Sequence, residues 1–476
     1  MLFYTMSFES KYSSYIEPLY GNKRDVKFDK LLMQENILPH KYTIHDRVDF
    51  TNINTYSIDP DECEDADDAF SIYENESKLF LAIHIADPTE FINPSSTLWR
   101  DIETRVVTRY PSNKPPIHMM PDEIMIKSSL MENECGNTKV AITVLTEIDK
   151  VSYLPIGKIK LLFTHIKVNK TNSLSYFDAS KQLYSNDVIY NGIRISNALQ
   201  QKRSTKTKGV ILNELSTSYV KYDTSGGSRH PYLYNDNDTE RQMKHMIAEF
   251  AIFANSFVGE YLKINFGGKG LYRICPAKDW LNALYPGITG TELLNEIIVN
   301  GVQAEYISNV DSHDLVGSPE YCHFTSPIRR LSDCVCHYLL KYIHLINLSQ
   351  ILEIPFSNDQ LQHYSNDCVR LTKSMKNIQY KDTKFRLLQV ISQLLTTEIN
   401  KVNITYYISS YTKGFLNIII NSINQHNIYL SYTLRIPHIV ADYRIKEVKH
   451  LSISKVNCLG KFDQGSLPEL DQIYIP

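Results

Sequence analysis

The segment SIDPDECEDADDAF, residues 57–70, packs seven carboxylates into the ten residues from Asp59 to Asp68. Mutual repulsion makes such a run costly unless water solvates it or a cation neutralises it. A solvated acidic loop is the usual reading of a charge run. Two features point elsewhere. The run lies between apolar, strand-like segments rather than in a tail, and it ends in Ala-Phe-Ser-Ile, a return to buried pattern. It is not a calcium hand. Counted from Asp59, position six is Glu64 and position twelve is Phe70, where Gly and Glu are required. Magnesium suits the run better, because it takes octahedral oxygen ligands, keeps several waters and binds through a few carboxylates plus substrate phosphate. Asp59, Asp65, Asp67 and Asp68 offer the ligands of a two-metal phosphodiester hydrolysis site.

Outward from this run the pattern is strand-like over about 47–165. In KLFLAIHIAD (78–87), Leu79, Leu81, Ile83 and Ile85 alternate with Phe80, Ala82 and His84. TKVAITVLTEI (138–148) repeats the signal. Helical spacing takes over from about 195, where Met243, Met246, Ile247, Phe250 and Phe253 share one stripe. A second helix is expected after Pro327, with Ile328, Leu331, Val335, Tyr338, Leu339 and Tyr342 in register. Residues 366–400 read as a charged helical linker. From about 401 the period returns to two in NITYYIS, FLNIIIN and NIYLSYT, which suits a small five-stranded barrel of the OB type.

The chain has 476 residues, 43% of them hydrophobic and 22% charged, which is globular composition rather than disorder. No apolar run reaches the ~18–20 residues of a membrane helix. Fifty Lys and Arg against 53 Asp and Glu give a formal net charge of −3, which argues against a uniformly basic nucleic-acid binder. That average hides a segregation. Residues 51–150 hold 19 Asp and Glu against 8 Lys and Arg, a net −11, whereas residues 151–230 hold 4 against 12, a net +8. The basic block contains QKRSTKTKG (201–209), a candidate phosphate-binding run with a solvated loop as the plain alternative. The 32 tyrosines read as compositional drift or as platforms for stacking bases. Eight cysteines with no framework spacing suggest reduced thiols in an intracellular compartment. The N-terminus lacks a secretory or transit pattern, so cytoplasm is the expectation, with the nucleus as the other option. Cys322, His323, Cys334, Cys336 and His337 fit no standard zinc spacing.

Taken together, the motifs resemble the RNase II/RNase R family of 3′→5′ exoribonucleases, and specifically their catalytic RNB domain. The family pattern of Asp, five residues, then Asp-x-Asp-Asp-Ala is met by Asp59 and by Asp65 to Ala69. HIADPTEFI (84–92), TRYPSNKPPIHMMPDEI (108–124), SLMENECGNTKVAITV (129–144), MIAEFAIFAN (246–255), GLYRICPA (270–277) and HFTSPIRRLSDCVCH (323–337) follow in family order. The resemblance covers roughly 47–345. It implies an α+β fold, with a mixed-sheet RNB catalytic domain over 47–365 and a C-terminal S1/OB-like β-barrel over 401–476. An N-terminal extension over 1–46 and the linker 366–400 complete the expected organisation. The cold-shock barrels that usually precede the catalytic domain are expected to be absent or vestigial.

The same resemblance implies site residues. Asp59, Asp65, Asp67 and Asp68 would hold two Mg²⁺ ions, with Mn²⁺ as a substitute, and Asp67 would be the carboxylate most essential to chemistry. Arg329 matches the family's catalytic arginine, a guanidinium able to grip the scissile phosphate in bidentate fashion. Its plain alternative, shared with Arg330, is a helix-start salt bridge to Asp333. Tyr110 matches the tyrosine that stacks on the 3′-terminal base, with a spacing one residue longer than the pattern. Glu249 matches the helix glutamate that seats the 3′ nucleotide, or is a plain exposed glutamate. Tyr272 and Arg273 are RNA contacts or packing, Thr325, Ser326 and Arg330 are further RNA contacts, and His84 is structural. The expected activity is hydrolytic degradation of single-stranded RNA from a free 3′ end to nucleoside 5′-monophosphates. A helicase or degradation complex is the expected partner, and no membrane is involved. The rival expectation is a non-catalytic RNA-binding or scaffold subunit.

Overall fold

The structure is a computed structural model describing residues 8–204, 218–223, 230–284, 288, 290–350, 352–397, 402–412, 415–435, 446, 448–457 and 469–474. Its centre is a five-stranded mixed sheet built from β1 (Val48–Phe50), β3 (Asp68–Asn75), β4 (Lys78–Ala86), β5 (Thr138–Ile148) and β6 (Pro155–Lys167). The spatial order is β1-β6-β5-β4-β3, with β1 parallel to β6 and the other neighbours antiparallel. A short β2 (Ser57–Asp59) lies outside this sheet and pairs in parallel with β7 (Ser173–Ser175). The β3–β4 hairpin turns through Glu76 and Ser77, both at positive φ, the geometry that matches the twist of the flanking strands.

The alternation in β4 sorts its side chains as expected. Leu79, Leu81, Ile83 and Ile85 enter the main core, while Ala82 and Ala86 enter a smaller core with Phe50 and Ile166 on the opposite face. Burial of both faces is why His84 is fully enclosed. Its ring nitrogens bond to the hydroxyls of Ser71 (3.1 Å) and Thr143 (2.8 Å). A polar ring so enclosed is tolerable because both nitrogens are satisfied.

The helix Asp238–Phe266 opens on a capping box between Asn237 and Glu240 and closes on Gly267 in the left-handed region. Met243, Met246 and Phe250 are buried, and Ile247 and Phe253 pack at the core margin. A Cβ on Gly259 of this helix would come within 3.0 Å of the Glu320–Tyr321 backbone, so glycine lets the helix approach the segment that leads into HFTSPIRR.

The helix expected from Pro327 begins later, at Leu331, and runs to Asn347. Arg330 is extended (φ −139°, ψ 129°) because this stretch pairs with the chain before Tyr110. Thr108 N–H donates to the Arg329 carbonyl at 3.0 Å, and Leu331 N–H to the Val106 carbonyl at 2.8 Å. The buried ammonium of Lys341 on this helix binds Asp87 (3.1 Å) and Glu90 (2.6 Å), which Arg47 also contacts. Burial alone would raise the Asp87 carboxyl, but the Lys341 and Arg47 charges hold it well below the usual range. Removing one partner of such a buried cluster costs several kcal/mol, about 3–5, because the other charge is stranded.

The linker helix also differs from its expected bounds. It runs unbroken from Asn358 to Thr397, so the boundary placed at 365 falls inside one helix. Its Leu387, Leu388 and Ile391 pack against the C-terminal sheet, formed by β12 (Val402–Thr412), β13 (Phe415–Ile423), β14 (His426–Arg435), β15 (Val448–Asn457) and β16 (Glu469–Tyr474). Its order is β14-β13-β12-β15-β16, antiparallel throughout. The strands fit an OB-like fold, but no strand pair closes the sheet into a barrel among the described residues. Among the described residues no helix is long and apolar enough to cross a membrane.

Burial lowers the His84 pKa to about 3, so its ring stays neutral in the folded protein where an unfolded histidine would gain a proton. Its contribution to stability is therefore complete above the unfolded value of about 6.5 and is lost progressively as pH falls toward 3. Between pH 6 and 4, the unfolding free energy of the wild type should fall more steeply than that of His84→Gln. The difference in slope should approach about 1.4 kcal/mol per pH unit. Urea denaturation at a series of pH values measures it, and parallel profiles would contradict a neutral buried imidazole.

Candidate active site

The acidic run is the loop between β2 and β3, with Asp59 the last residue of one strand and Asp68 the first of the other. The chain is tied down along its length. Ser129 Oγ donates to the Glu64 carbonyl (3.0 Å), Leu130 N–H to the Ala66 carbonyl (2.9 Å) and Ala86 N–H to the Asp67 carbonyl (2.8 Å). A backbone pair between Tyr56 and Phe70 closes the base of the loop. The carboxylates are thereby held together against their repulsion instead of splaying into water.

Asp67 is buried. Its Oδ1 accepts from Ile328 N–H at 2.7 Å and its Oδ2 from Arg329 Nε at 2.9 Å. Burial pushes its carboxyl up to about 7, against the opposing pull of Arg329 and the Ile328 N–H. Burial also raises Asp68 to about 6, opposed by Arg329 and Arg330. Asp59 is raised well above the usual range, first by burial and then by the charges of Asp68 and Asp67. Asp65 stands nearer the surface, where Tyr110 Oη donates to it across 3.4 Å.

Arg329 bridges the acids and the opposite wall. Besides Asp67, it reaches Ser326 Oγ at 2.9 Å, and its side chain is 43% exposed. Arg330 differs. Its guanidinium makes a two-pronged bond to Asp333 (2.9 and 2.8 Å), the helix-start salt bridge that the sequence left open for both arginines. Only Arg330 takes it.

Asp59, Asp65, Asp67, Asp68, Tyr110, Arg273, Thr325, Ser326, Arg329 and Arg330 all line one cleft of about 1430 Å³. Two expected RNA contacts do not. Glu249 is 1% exposed and bound by Arg203 through both carboxylate oxygens. Tyr272 is wholly inside the main core. Both corrections have a geometric cause. His245, Ala248, Ile252 and Asn255 form the cleft-facing stripe of the Asp238–Phe266 helix, and Glu249 lies about 100° around from Ala248. On β10 (Lys269–Ile274), alternation sends Tyr272 into the core and Arg273 to the cleft, where its guanidinium lies over the Tyr306 ring at 4.5 Å. Arg203, expected to line an RNA path with its basic neighbours, turns inward to Glu249. Residues 205–209 of that run lie outside the described residues.

The sequence reading missed Asn255. It is buried, accepts from Phe324 N–H at 2.8 Å and donates to Tyr321 Oη at 3.0 Å and Thr325 Oγ1 at 3.4 Å, so it braces the HFTSPIRR segment. Its position in the MIAEFAIFAN motif was the available signal. Lys244, at the cleft margin, bonds to Asp236 (2.7 Å) and lies over the Tyr219 ring at 4.6 Å. Periodicity did not mark that pairing.

The residues fit a hard divalent cation. Asp59 Oδ2 is buried and has no hydrogen-bond partner, and burial raises three of the four acids, with repulsion from neighbouring carboxylates adding to it at Asp59 and Asp67, as a site for positive charge would. Among the described residues, no three such side chains already close around a common point.

The chain is similar to known proteins in sequence and in fold. Homo sapiens exosome complex exonuclease RRP44 is 28% identical over 335 residues, covering 62% of this chain and 34% of that protein. This chain therefore spans about a third of the length of that relative. Mycoplasma genitalium RNase R, solved in complex with ribose-methylated single-stranded RNA, superposes with a TM-score of 0.68 at 17% identity, over 96% of this chain and 75% of its own. Yeast Ssd1, described as a pseudonuclease, superposes with a TM-score of 0.62 at 17% identity, over 81% of this chain and 50% of its own. At these identities the two structures speak to the fold alone. The RNB domain family profile matches residues 47–345, well over half of the chain, and the chain belongs to that family.

Proposed function

We propose that this protein is a divalent-metal-dependent 3′→5′ exoribonuclease that hydrolyses single-stranded RNA to nucleoside 5′-monophosphates. One observation carries the reading: Asp59, Asp65, Asp67 and Asp68 line the same cleft as Arg329, the full set that the motif spacing called for. Asp59, Asp67 and Asp68 would hold the metal, with Asp65 joining directly or through water. A divalent cation held by these carboxylates, Mg²⁺ in this reading, would supply Lewis-acid chemistry for activating a water and for charge at the leaving oxygen.

The protein's own groups supply the rest. Arg329 brings a fixed positive charge to the point where the scissile phosphate gains negative charge, and its bond to Asp67 orients the guanidinium. Thr325, Ser326 and Arg273 lie along the cleft wall where the sugar–phosphate backbone would pass, and Tyr110 offers a ring to the terminal base. The buried setting of the acids limits competing water and strengthens each of these charges. Relatives named exosome complex exonucleases support a multiprotein complex as the setting.

A non-catalytic RNA-binding role is the second reading, since the same fold is found in a protein described as a pseudonuclease. The two are separated by incubating the full chain with 5′-labelled RNA with Mg²⁺ and with EDTA. The enzyme gives a stepwise ladder that EDTA abolishes, whereas a scaffold gives a mobility shift without shortening. Asp67→Asn preserves an acceptor for the Ile328 N–H but removes the charge. It should lower the rate of degradation at least about 10²-fold and leave RNA binding nearly intact. Unchanged activity in that variant would sink the assignment. Arg329→Lys keeps the charge but loses the planar fork that spans Asp67 and Ser326, so kcat should fall about 10–10²-fold with metal affinity unchanged. Single-turnover kinetics and equilibrium dialysis with Mn²⁺ check the two halves.

A further inference from the structure

The Tyr110 loop is strung between two anchors. On one side, Val107 pairs with Arg330, and Thr108 N–H donates to the Arg329 carbonyl. Arg109 pairs with Ile117 and closes the loop at its neck. On the other side, two residues past Tyr110, Ser112 is held by a buried carboxylate. Asp382 Oδ2 accepts from Ser112 N–H at 2.9 Å, and its Oδ1 from Ser112 Oγ at 2.5 Å. Asp382 belongs to the long helix Asn358–Thr397, beyond the family-matched residues 47–345.

The same Asp382 Oδ2 accepts from Tyr20 Oη at 2.8 Å. Tyr20 lies in the segment before the family-matched residues, and its carbonyl accepts from Arg109 Nη1 at 2.8 Å. Arg386, fully buried one turn along the helix, binds Glu9 (2.9 Å) and Ser112 Oγ (3.2 Å) and lies over the Tyr12 ring at 3.8 Å. Tyr12, Ile16 and Tyr20 pack with Phe385, Ile378 and Ile117 to complete the joint. Three segments far apart in sequence therefore meet at one carboxylate that is 1% exposed. A helix–carboxylate joint of this kind fixes Ser112, and Ser112 and Arg329 together fix where the Tyr110 ring stands.

We propose that Asp382 is a positioning residue for the Tyr110 loop, and that with the segment from Glu9 to Tyr20 it sets how firmly the terminal nucleotide is gripped. The proposal rests on the exoribonuclease reading for what Tyr110 touches. The placement of the loop does not depend on that reading. Asp382 acts on binding, not on chemistry, because it reaches neither the acids nor Arg329 directly.

The test is a double-mutant cycle in the full chain. Asp382→Asn keeps the shape but turns one acceptor oxygen into a donor nitrogen. It should raise KM, and the dissociation constant of a short single-stranded RNA in EDTA, about tenfold, with kcat within about twofold. In a Tyr110→Ala background the same substitution should change either quantity less than about twofold. Hydrogen exchange at residues 107–117 should accelerate in Asp382→Asn alone. Equal factors in both backgrounds, a loss confined to kcat, or unchanged exchange would overturn the proposal. If Asp382→Asn does not fold, Tyr20→Phe removes a single hydrogen bond to Asp382 and carries the same cycle. If the wild type neither binds nor shortens RNA, the exoribonuclease reading fails, and the exchange experiment still decides the role of Asp382.

Discussion

The contact between Asp67 and the Ile328–Arg329 backbone and side chain joins two parts of the chain separated by about 260 residues. One part is the loop leaving β2, and the other is the turn at residues 327–329 that precedes the Leu331–Asn347 helix. A buried carboxylate that accepts both a backbone N–H and a guanidinium is satisfied without water, so Asp67 can sit in the interior without being stranded. Without this contact, Arg329 would lose one of the two bonds that orient its guanidinium. The acidic loop would keep its ties to Ser129, Leu130 and Ala86 but lose the one to Ile328 and Arg329. Everything else in the cleft is arranged around this contact. Thr108 pairs with the carbonyl of the same Arg329, and Asn255 braces Phe324 and Thr325 just before it.

Charge in this protein is organised by burial as much as by count. The acidic stretch looks unsupportable on the sequence because seven carboxylates crowd ten residues. In the fold they divide. Asp59, Asp67 and Asp68 go inward, where burial raises their pKa values, while Asp61 faces Lys221 at 2.9 Å near the surface. Arg329 opposes that rise at all three, and a divalent cation held between the carboxylates would oppose it further. A second buried charge cluster, formed by Arg47, Asp87, Glu90 and Lys341, has no part in the cleft. It fastens the end of β4 to the helix that follows Arg330.

Much of this was legible from local pattern. The two-residue alternation of β4 and β5, the stripe of the Asp238–Phe266 helix, and the strand-rich C-terminus all follow from periods that neighbouring residues carry. The less legible features depend on which of two faces a residue takes. Tyr272 and Arg273 are adjacent, and their order on β10 decides that one is core and the other lines the cleft. Glu249 was read as a nucleotide contact because of its motif, yet it sits beside the cleft-facing stripe and finds Arg203. The helix after Pro327 starts late because residues 327–329 form a turn and Val106–Thr108, more than 200 residues upstream, pairs with this stretch and holds Arg330 extended.

The sequence by itself determined the spacing of Asp59, Asp65, Asp67 and Asp68, the segregation of acidic from basic blocks, and the alternation and capping that build the sheet and its helices. These are local properties, set by repulsion between neighbours and by the periods of strand and helix. The tertiary structure decided which acids are buried, that Arg330 serves Asp333 while Arg329 serves the cleft, and that Asp382 gathers Tyr20 and Ser112. Each of those outcomes is a competition among long-range partners for a buried polar group. A one-dimensional pattern contains the competitors but not the distances that choose between them.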